Sequence, residues 1–170
     1  METNSGKIND EIPEGYRKAV TIILRAMRRF MEDGSELCGI AFLGKGDCAP
    51  VPIPMNMATE KNKDISAEFI RHIVKETGAE YVIMVSEGWT LPKETPIEES
   101  KKLIEEYGQI SDCPQRQEIV FLTLETPAGS WIGMSPIKAL GGVKRGFDDM
   151  KFIYTHMQGR FSNFLSAQVH

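Results

Sequence analysis

The sequence lacks the residue spacings from which metal sites are usually built. Its 3 cysteines and 3 histidines form no C-x-x-C pair and no H-x(3–5)-H pair, although tetrahedral zinc sites need such closely spaced ligands. The glycine fingerprints of P-loop and dinucleotide-binding proteins are missing as well. We therefore predict neither a metal site nor a bound cofactor.

Long apolar runs and an excess of positive charge are also missing. The longest apolar runs, Tyr81–Val85 and Ile119–Leu122, are far shorter than the roughly 20 residues that cross a bilayer. The net charge of −4 gives no electrostatic attraction to nucleic acid or to an anionic membrane. A basic face on the first predicted helix is interpreted as solvated. We expect no membrane partner and do not favour a nucleic-acid partner.

The cysteines and the N-terminus indicate a reducing compartment. The N-terminus carries Glu2 and Asp10 and no apolar core, unlike a secretory signal, and an odd number of cysteines leaves at least one unpaired. These features favour the cytoplasm. We interpret Cys38 as a small core residue within a strand. Cys113 is interpreted as an ordinary loop cysteine, because no nearby base would activate it as a nucleophile.

The length of 170 residues fits one domain. We expect a flexible segment at residues 1–12 and a single domain at residues 13–170. Helical periodicity predicts a first helix over residues 14–33, with Phe30 among its buried residues. A second helix is predicted over residues 64–77, burying Ile65, Phe69, Ile70, Ile73 and Val74. A capping box at Thr95–Glu98 predicts a short surface helix that ends at Tyr107.

Strand patterns predict the rest of the fold. Leu37–Leu43 and Tyr81–Val85 read as strands, and the latter is apolar enough for the sheet centre. Prolines at alternate positions in Pro50–Met57 restrict that segment to a sheet edge. A hairpin is predicted around Pro127–Gly129, with a last strand at Phe152–Tyr154, a last helix at Arg160–Val169 and a mobile loop at Lys138–Lys151.

One hairpin and one proline-rich edge favour an α+β domain with a mainly antiparallel or mixed sheet and helices packed on it. A three-layer α/β fold is the alternative.

Charged and aromatic residues gather where the strand Tyr81–Val85 ends and where the later hairpin begins. The first group follows the strand directly, and the second lies on a turn that leads into the hairpin. A planar guanidinium is well suited to a bidentate carboxylate pair. The candidate binding residues are Glu87, Trp89, Asp112, Arg116 and Glu118.

Two interpretations of this set stay open. In the structural one, Arg116 forms an ion pair with Glu87 or Glu118, and Trp89 covers the core. In the functional one, the same side chains frame a ligand site, because strand ends that carry perturbed charges are common at binding sites.

These residues also carry a resemblance to a known family. The chain resembles bacterial and phage-borne proteins in which a strand closing in V-S-E-A-W is followed by a P-x-R-x-E turn. The corresponding segments here are Val85–Trp89 and Pro114–Glu118, with Gly88 in place of the alanine. The resemblance covers about half of the chain, from the second helix through the hairpin, and it implies no activity.

The leading hypothesis is therefore a small cytoplasmic α+β protein that acts by binding, as a homodimer. Pro50–Met57 and Trp131–Met134 suggest the dimer, because either segment would need cover if it lay at a sheet edge. The alternative is a hydrolase-type enzyme whose site contains Glu87, Trp89, Arg116 and Glu118. Nothing in the sequence decides whether the protein is an enzyme.

Overall fold

The computed structural model describes residues 12–157 and 159–165. It confirms an α+β fold. Its helices are α1 (Glu14–Glu32), α2 (Glu60–Thr77) and α3 (Ile97–Tyr107), with a 3₁₀ turn at Ile110–Asp112. Its strands are β1 (Ile40–Gly44), β2 (Val51–Pro54), β3 (Tyr81–Thr90), β4 (Gln117–Thr126), β5 (Gly129–Gly141), β6 (Lys144–Phe147) and β7 (Lys151–Thr155).

All strand pairs are antiparallel, and they form one curled sheet in the order β2-β1-β3-β4-β5-β6. Strand β5 is long enough to carry two partners on its outer edge: residues 130–134 pair with β7, and residues 137–141 pair with β6. No described helix is long and apolar enough to span a membrane.

The core lies on both faces of the sheet. Helix α1 packs on one face against alternate residues of the central strands, such as Ile83 and Leu122. Helix α2 packs on the other face, where Ile70 and Val74 contact residues of β1 and β3. The sheet is antiparallel throughout, so the arrangement differs from the three-layer α/β alternative, which would contain parallel strands.

Helix α1 matches its prediction within one residue, with two differences. Phe30 is exposed, because the buried stripe consists of Val20, Ile23, Met27 and Met31. Arg28 is not simply solvated: its guanidinium lies 4.1 Å above the Phe147 ring and donates to the Phe147 carbonyl. Ile12 is fully buried in the core, whereas the flexible segment was expected to include it. Residues 1–11 lie outside the described residues.

Helix α2 begins earlier than predicted and turns a different face to the sheet. Thr59 caps it by accepting the Asn62 N–H at 3.1 Å, a signal that the apolar pattern did not include. Its buried residues are Ala67, Ile70 and Val74, so Ile65 and Phe69 are exposed.

The start of α3 corrects another prediction. The N-cap residue is Pro96, and no side chain caps the helix, so the predicted Thr95 capping box does not form. The first helical bond runs from the Ser100 N–H to the Pro96 carbonyl at 2.9 Å.

The proline-rich segment forms the edge strand β2, as predicted. Pro52 and Pro54 stand opposite Phe42 and Ile40. Because proline has no N–H, these residues occupy the positions whose backbone groups point away from β1. The outer edge of the sheet therefore has no N–H donor at either proline, which prevents another strand from pairing regularly there.

The C-terminal third is more regular than expected. The hairpin turn at Pro127 and Ala128 and the strand β7 confirm their predictions. Residues 138–151, predicted as a mobile loop, instead form the end of β5, all of β6 and the start of β7. The helix predicted at Arg160–Val169 is wrong for residues 160–165, which form turns. Residues 166–170 lie outside the described residues.

Candidate functional site

Strand β3 continues through the candidate residues instead of ending before them. It pairs with β4 as far as Thr90, and Trp89 stands directly opposite Glu118. Side chains alternate along a strand, so Glu87, Trp89 and Glu118 all project from the sheet face on which α1 packs. The extra pairing therefore brings three of the predicted residues together.

Glu87 forms an ion pair, but its partner is Arg145 and not Arg116. Glu87 Oε1 accepts from Arg145 Nη1, and Oε2 accepts the Leu37 N–H at 2.7 Å. A second Arg145 nitrogen, Nη2, donates to the Ser35 carbonyl at 2.7 Å. The hydrogen bond to Glu87 raises the pKa of Arg145, and burial of the guanidinium opposes that shift. This ion pair connects β3, β6 and the segment after α1.

Arg116 instead lies over the Trp89 ring, with its guanidinium carbon 4.9 Å from the ring centroid. Its Nη1 donates to the Cys113 carbonyl at 3.3 Å, so the arginine is held by its own turn. Trp89 remains 43% exposed and does not cover the core. The predicted pairing of Arg116 with a carboxylate is therefore wrong among the described residues.

The two remaining candidates differ in position. Asp112 is exposed on the 3₁₀ turn and accepts from the Gln109 side chain at 2.8 Å, away from the cleft described below. Glu118 is exposed beside Trp89, and its carboxylate forms no hydrogen bond or ion pair with the part of the chain that the structure describes. Its charge still acts at a distance, because it contributes to the raised pKa of Arg145.

A cleft of about 300 Å³ lies over this part of the sheet, and we call it the corner cleft. Its walls are the segment after α1 and the ends of β3 and β4. A larger cleft of about 690 Å³, lined partly by Met55 and Met57, lies on the other side of Leu37 and Cys38. The corner cleft is lined by Glu36, Leu37, Cys38, Glu87, Gly88, Trp89 and Glu118.

The Cys38 assignment is wrong, whereas Cys113 lies in a loop, as predicted. Cys38 is exposed, because Gly39 with φ of +87° separates it from β1 and Leu37 is the residue whose side chain enters the core. Cys113 is fully buried, and its Sγ lies 3.9 Å from the Leu103 carbonyl of α3.

The corner cleft is acidic and aromatic. Glu36, Glu87 and Glu118 contribute three carboxylates, whereas two guanidinium groups lie beside the cleft: Arg145, which is bonded to Glu87, and Arg116, which lies over the Trp89 ring. An exposed tryptophan face attracts cations through its ring quadrupole. Such a cleft has the chemistry to accept a positively charged group. No three His, Cys, Asp or Glu side chains within the described ranges are placed to hold a metal ion.

Two residues of this region were missed from the sequence. Arg145 was assigned to the mobile loop, although the Gly141–Gly142 pair was a turn signal for a second hairpin. Glu36 lies between a helix end and a strand and carries no pattern that distinguishes it from other exposed acids.

Compared with known proteins, the chain matches no family model, no curated sequence and no solved structure. The resemblance to the V-S-E-A-W family therefore stays a prediction. Its alanine would fit sterically at Gly88, because a Cβ there would lie 3.5 Å from the Phe121 ring, an ordinary contact distance.

Proposed function

We propose that the protein acts by binding, and that its corner cleft accepts a cationic group such as an ammonium or a guanidinium. The observation that carries this proposal is the exposed Trp89 ring beside two carboxylates, Glu36 and Glu118, that lack ion-pair partners among the described residues. The net charge of −4 adds a favourable long-range field for a cation.

The contact between Arg116 and Trp89 supports this choice of ligand. The chain already places one of its own cations against this ring, which is the arrangement that a ligand cation would repeat at the part of the ring that lines the cleft. Such contacts contribute roughly 0.5–1 kcal/mol at exposed sites, so we expect modest affinity that falls as salt is added.

The same geometry favours binding over the hydrolase alternative. Acid–base hydrolysis needs a carboxylate that can exchange protons with the substrate. Both oxygens of Glu87 are engaged, one by Arg145 and one by the Leu37 N–H. Glu118 would then have no second available carboxylate among the predicted site residues to serve as its partner in acid–base catalysis.

The test uses Trp89 as the reporter. The Trp131→Phe variant leaves Trp89 as the sole tryptophan, and its fluorescence is followed during titration with arginine methyl ester or spermidine. We expect a saturable change that weakens with salt. Glu118→Gln should raise the Kd about 2- to 5-fold, the equivalent of an exposed ion pair worth up to about 1 kcal/mol.

The matched control is Asp112→Asn, which removes the same charge outside the cleft and should change the Kd far less. If both variants weakened binding equally, the effect would come from net charge alone, and this result would contradict a specific site in the corner cleft. Turnover of chromogenic ester or glycoside substrates that is lost in Glu118→Gln would favour the enzyme instead.

We also propose that two copies associate, although not through the two segments that first suggested it. Trp131 is buried, and β5 is interior to the sheet along Ser130–Met134 because β4 and β7 flank it. The prolines of β2 restrict pairing at the other edge. The support for a dimer lies instead on the sheet face opposite α1, in a part of that face that α2 does not cover.

That face carries an apolar patch whose members are neighbours across β4, β5 and β7. Met134 is 52% and Ile153 is 55% exposed, and both are in register with further apolar residues. A second copy offers the same apolar surface, so a two-fold contact would bury it against itself. The sheet patch consists of Phe121, Ile132, Met134 and Ile153.

Sedimentation equilibrium tests the dimer. The wild-type protein should sediment as a dimer and Ile153→Glu as a monomer, because a charge would be buried unpaired at the contact. Ile97→Glu is the control, since Ile97 is also strongly exposed but lies on α3. A monomeric wild type at high concentration would refute the proposal.

A cytoplasmic location is proposed on the state of the cysteines. All three are free, and Cys38 and Cys48 are exposed, which is typical of a reducing compartment. A mixed disulfide or an interchain disulfide on the protein isolated without reductant, with thiols trapped at lysis, would contradict this location.

A further inference from the structure

A third cleft, of about 640 Å³, lies at the opposite end of the sheet from the corner cleft. Strand β3 begins there and β4 ends there, so the two clefts are separated by the length of those strands. The volume falls within the about 300–1,000 Å³ that is typical of small-molecule sites. We call it the hairpin-end cleft, because the turn of Pro127 and Ala128 forms one wall.

The walls of this cleft are fixed by hydrogen bonds. Thr126 Oγ1 accepts the Ala128 N–H and donates to the Gly129 carbonyl, both at 3.1 Å, which holds the turn. The buried Glu125 carboxylate accepts the N–H groups of Phe164 and Leu165 at 3.1 and 2.7 Å. A site whose walls are held in place needs little ordering when a ligand binds.

Aromatic rings form the third wall. The Tyr154 ring stands edge-on to Trp131, with centroids 5.3 Å apart, and edge-on to His156 at 5.8 Å. Gly129 makes this position possible, because a Cβ there would lie 2.3 Å from Tyr154 Cε2. Tyr154 remains 48% exposed, so its ring can contact a planar ligand by offset stacking or edge-to-face contact.

The charges of the cleft disfavour anions. Its described lining residues include the carboxylates of Glu80 and Glu125 and no lysine or arginine. The carbonyl end of α2 adds partial negative charge. The Lys45 ammonium lies near that end, close to Gly78, but does not line the cleft. Phosphate and carboxylate groups would therefore meet no lysine or arginine side chain among the described lining residues.

We propose that the hairpin-end cleft binds an uncharged planar ring compound, with Tyr154 as the main contact. The polar groups available to orient such a ring include the Ser130 hydroxyl and the His156 imidazole. This proposal is independent of the function proposed for the corner cleft, which shares none of its described lining residues.

The experiment titrates the full-length ¹⁵N-labelled protein with adenosine and, separately, with adenosine 5′-monophosphate. The two probes share one planar ring system and differ by a phosphate. Adenosine at concentrations up to about 10 mM, the range in which small rings bind open clefts, should shift the amide signals of Ala128, Ser130 and Thr155. The monophosphate should bind at least about 5-fold more weakly, as expected for a charge without a partner.

Four variants sharpen the test. Tyr154→Ala should weaken adenosine binding at least about 5-fold, whereas Tyr154→Phe should retain it, because stacking needs the ring and not the hydroxyl. Ala128→Arg adds a cation to the exposed turn and should reverse the preference toward the monophosphate. Trp89→Phe, at the other end of the sheet, should leave adenosine binding unchanged.

The proposal is overturned if adenosine shifts no cleft amide, if Tyr154→Ala binds it as well as wild type, or if the wild-type protein prefers the monophosphate. An unchanged preference in a folded Ala128→Arg variant would also contradict the electrostatic argument. Loss of corner-cleft binding leaves these outcomes unaffected.

Discussion

Removal of Arg145 should destabilise the protein by about 3 kcal/mol. Arg145→Ala removes a charge-assisted bond to Glu87, worth about 1.5–3 kcal/mol, and a bond to the Ser35 carbonyl, worth about 1 kcal/mol. The side chains of Arg145 and Glu87 are 20% and 14% exposed, so the loss should lie near the lower end of the 3–5 kcal/mol range for breaking a buried pair.

Urea denaturation monitored by circular dichroism measures this loss. With a slope of about 2 kcal/mol/M, the midpoint should fall by about 1.5 M. A thermal midpoint should fall by roughly 6–12 °C for a chain of this size. Arg145→Lys keeps the charge but cannot make both bonds at once, so its loss should be about half as large.

Two matched variants separate this effect from a general loss of charge. Lys138 pairs with Asp148 in the same hairpin, but both side chains are more than half exposed, so Lys138→Ala should cost less than about 1 kcal/mol. Arg116→Ala removes the exposed contact with Trp89 and a long hydrogen bond of 3.3 Å to the Cys113 carbonyl, and it should also cost less than about 1 kcal/mol. A loss below about 1 kcal/mol for Arg145→Ala, or a larger loss for Arg116→Ala, would refute the assignment of the ion pair.

Three further predictions follow from single residues. Gly129→Ala should lower the free energy of unfolding by more than about 1 kcal/mol, since the φ of Gly129 is +143° and a Cβ there would overlap the Tyr154 ring. Gly15→Ala, with open space in α1, should be neutral or stabilising in the same urea titration. Equal effects of the two substitutions would contradict this prediction. In native protein Cys113 should resist a thiol reagent until unfolding, and rapid modification of all three thiols would contradict its burial. Glu60 has a pKa lowered from its ordinary value of 4.5, chiefly by the Arg160 hydrogen bond, so this contact stabilises above that value and is lost as the pH falls through the lowered pKa. Amide signals near Arg160 should shift in that acidic range, and the shift should be smaller in Glu60→Gln, where Arg160 keeps its ion pair with Asp64 at 2.8 Å.

Much of the fold could be predicted because local patterns and tertiary structure agree. The apolar runs Tyr81–Val85 and Ile119–Leu122 each specify a strand, the turn at Pro127–Ala128 specifies a hairpin, and the sheet confirms them. The face of α2 could not be predicted by the same means. Both the Ile65–Phe69 stripe and the Ala67–Val74 stripe have helical spacing, and close packing on the sheet selects the one with the smaller residue.

The candidate site could likewise be predicted only in part. Glu87 and Trp89 could be found because they directly follow one apolar run, and Glu118 because it directly precedes another; these two runs pair as β3 and β4. The partner of Glu87 could not be found, since nearness in sequence favoured Arg116, whereas Arg145 is 58 residues away. The turn that holds Arg116 directs it to the Trp89 ring instead.

The Glu87–Arg145 ion pair depends on the curl of the sheet. Strands β4 and β5 lie between β3 and β6, so in a flat sheet the backbones of Glu87 and Arg145 would be about 14 Å apart, three strand spacings. Their contact therefore requires the β5–β6 hairpin to fold back over the face on which α1 packs. The register shift between Ala139 and Gly141 in β5 marks the irregularity there, and a bulge of this kind increases local twist and bending. Arg145 thus connects the curled end of the sheet to the wall of the corner cleft through its bond to Glu87. A sequence pattern reports strands and their registers, but the curvature that joins non-neighbouring strands arises only when the helices and the sheet pack together.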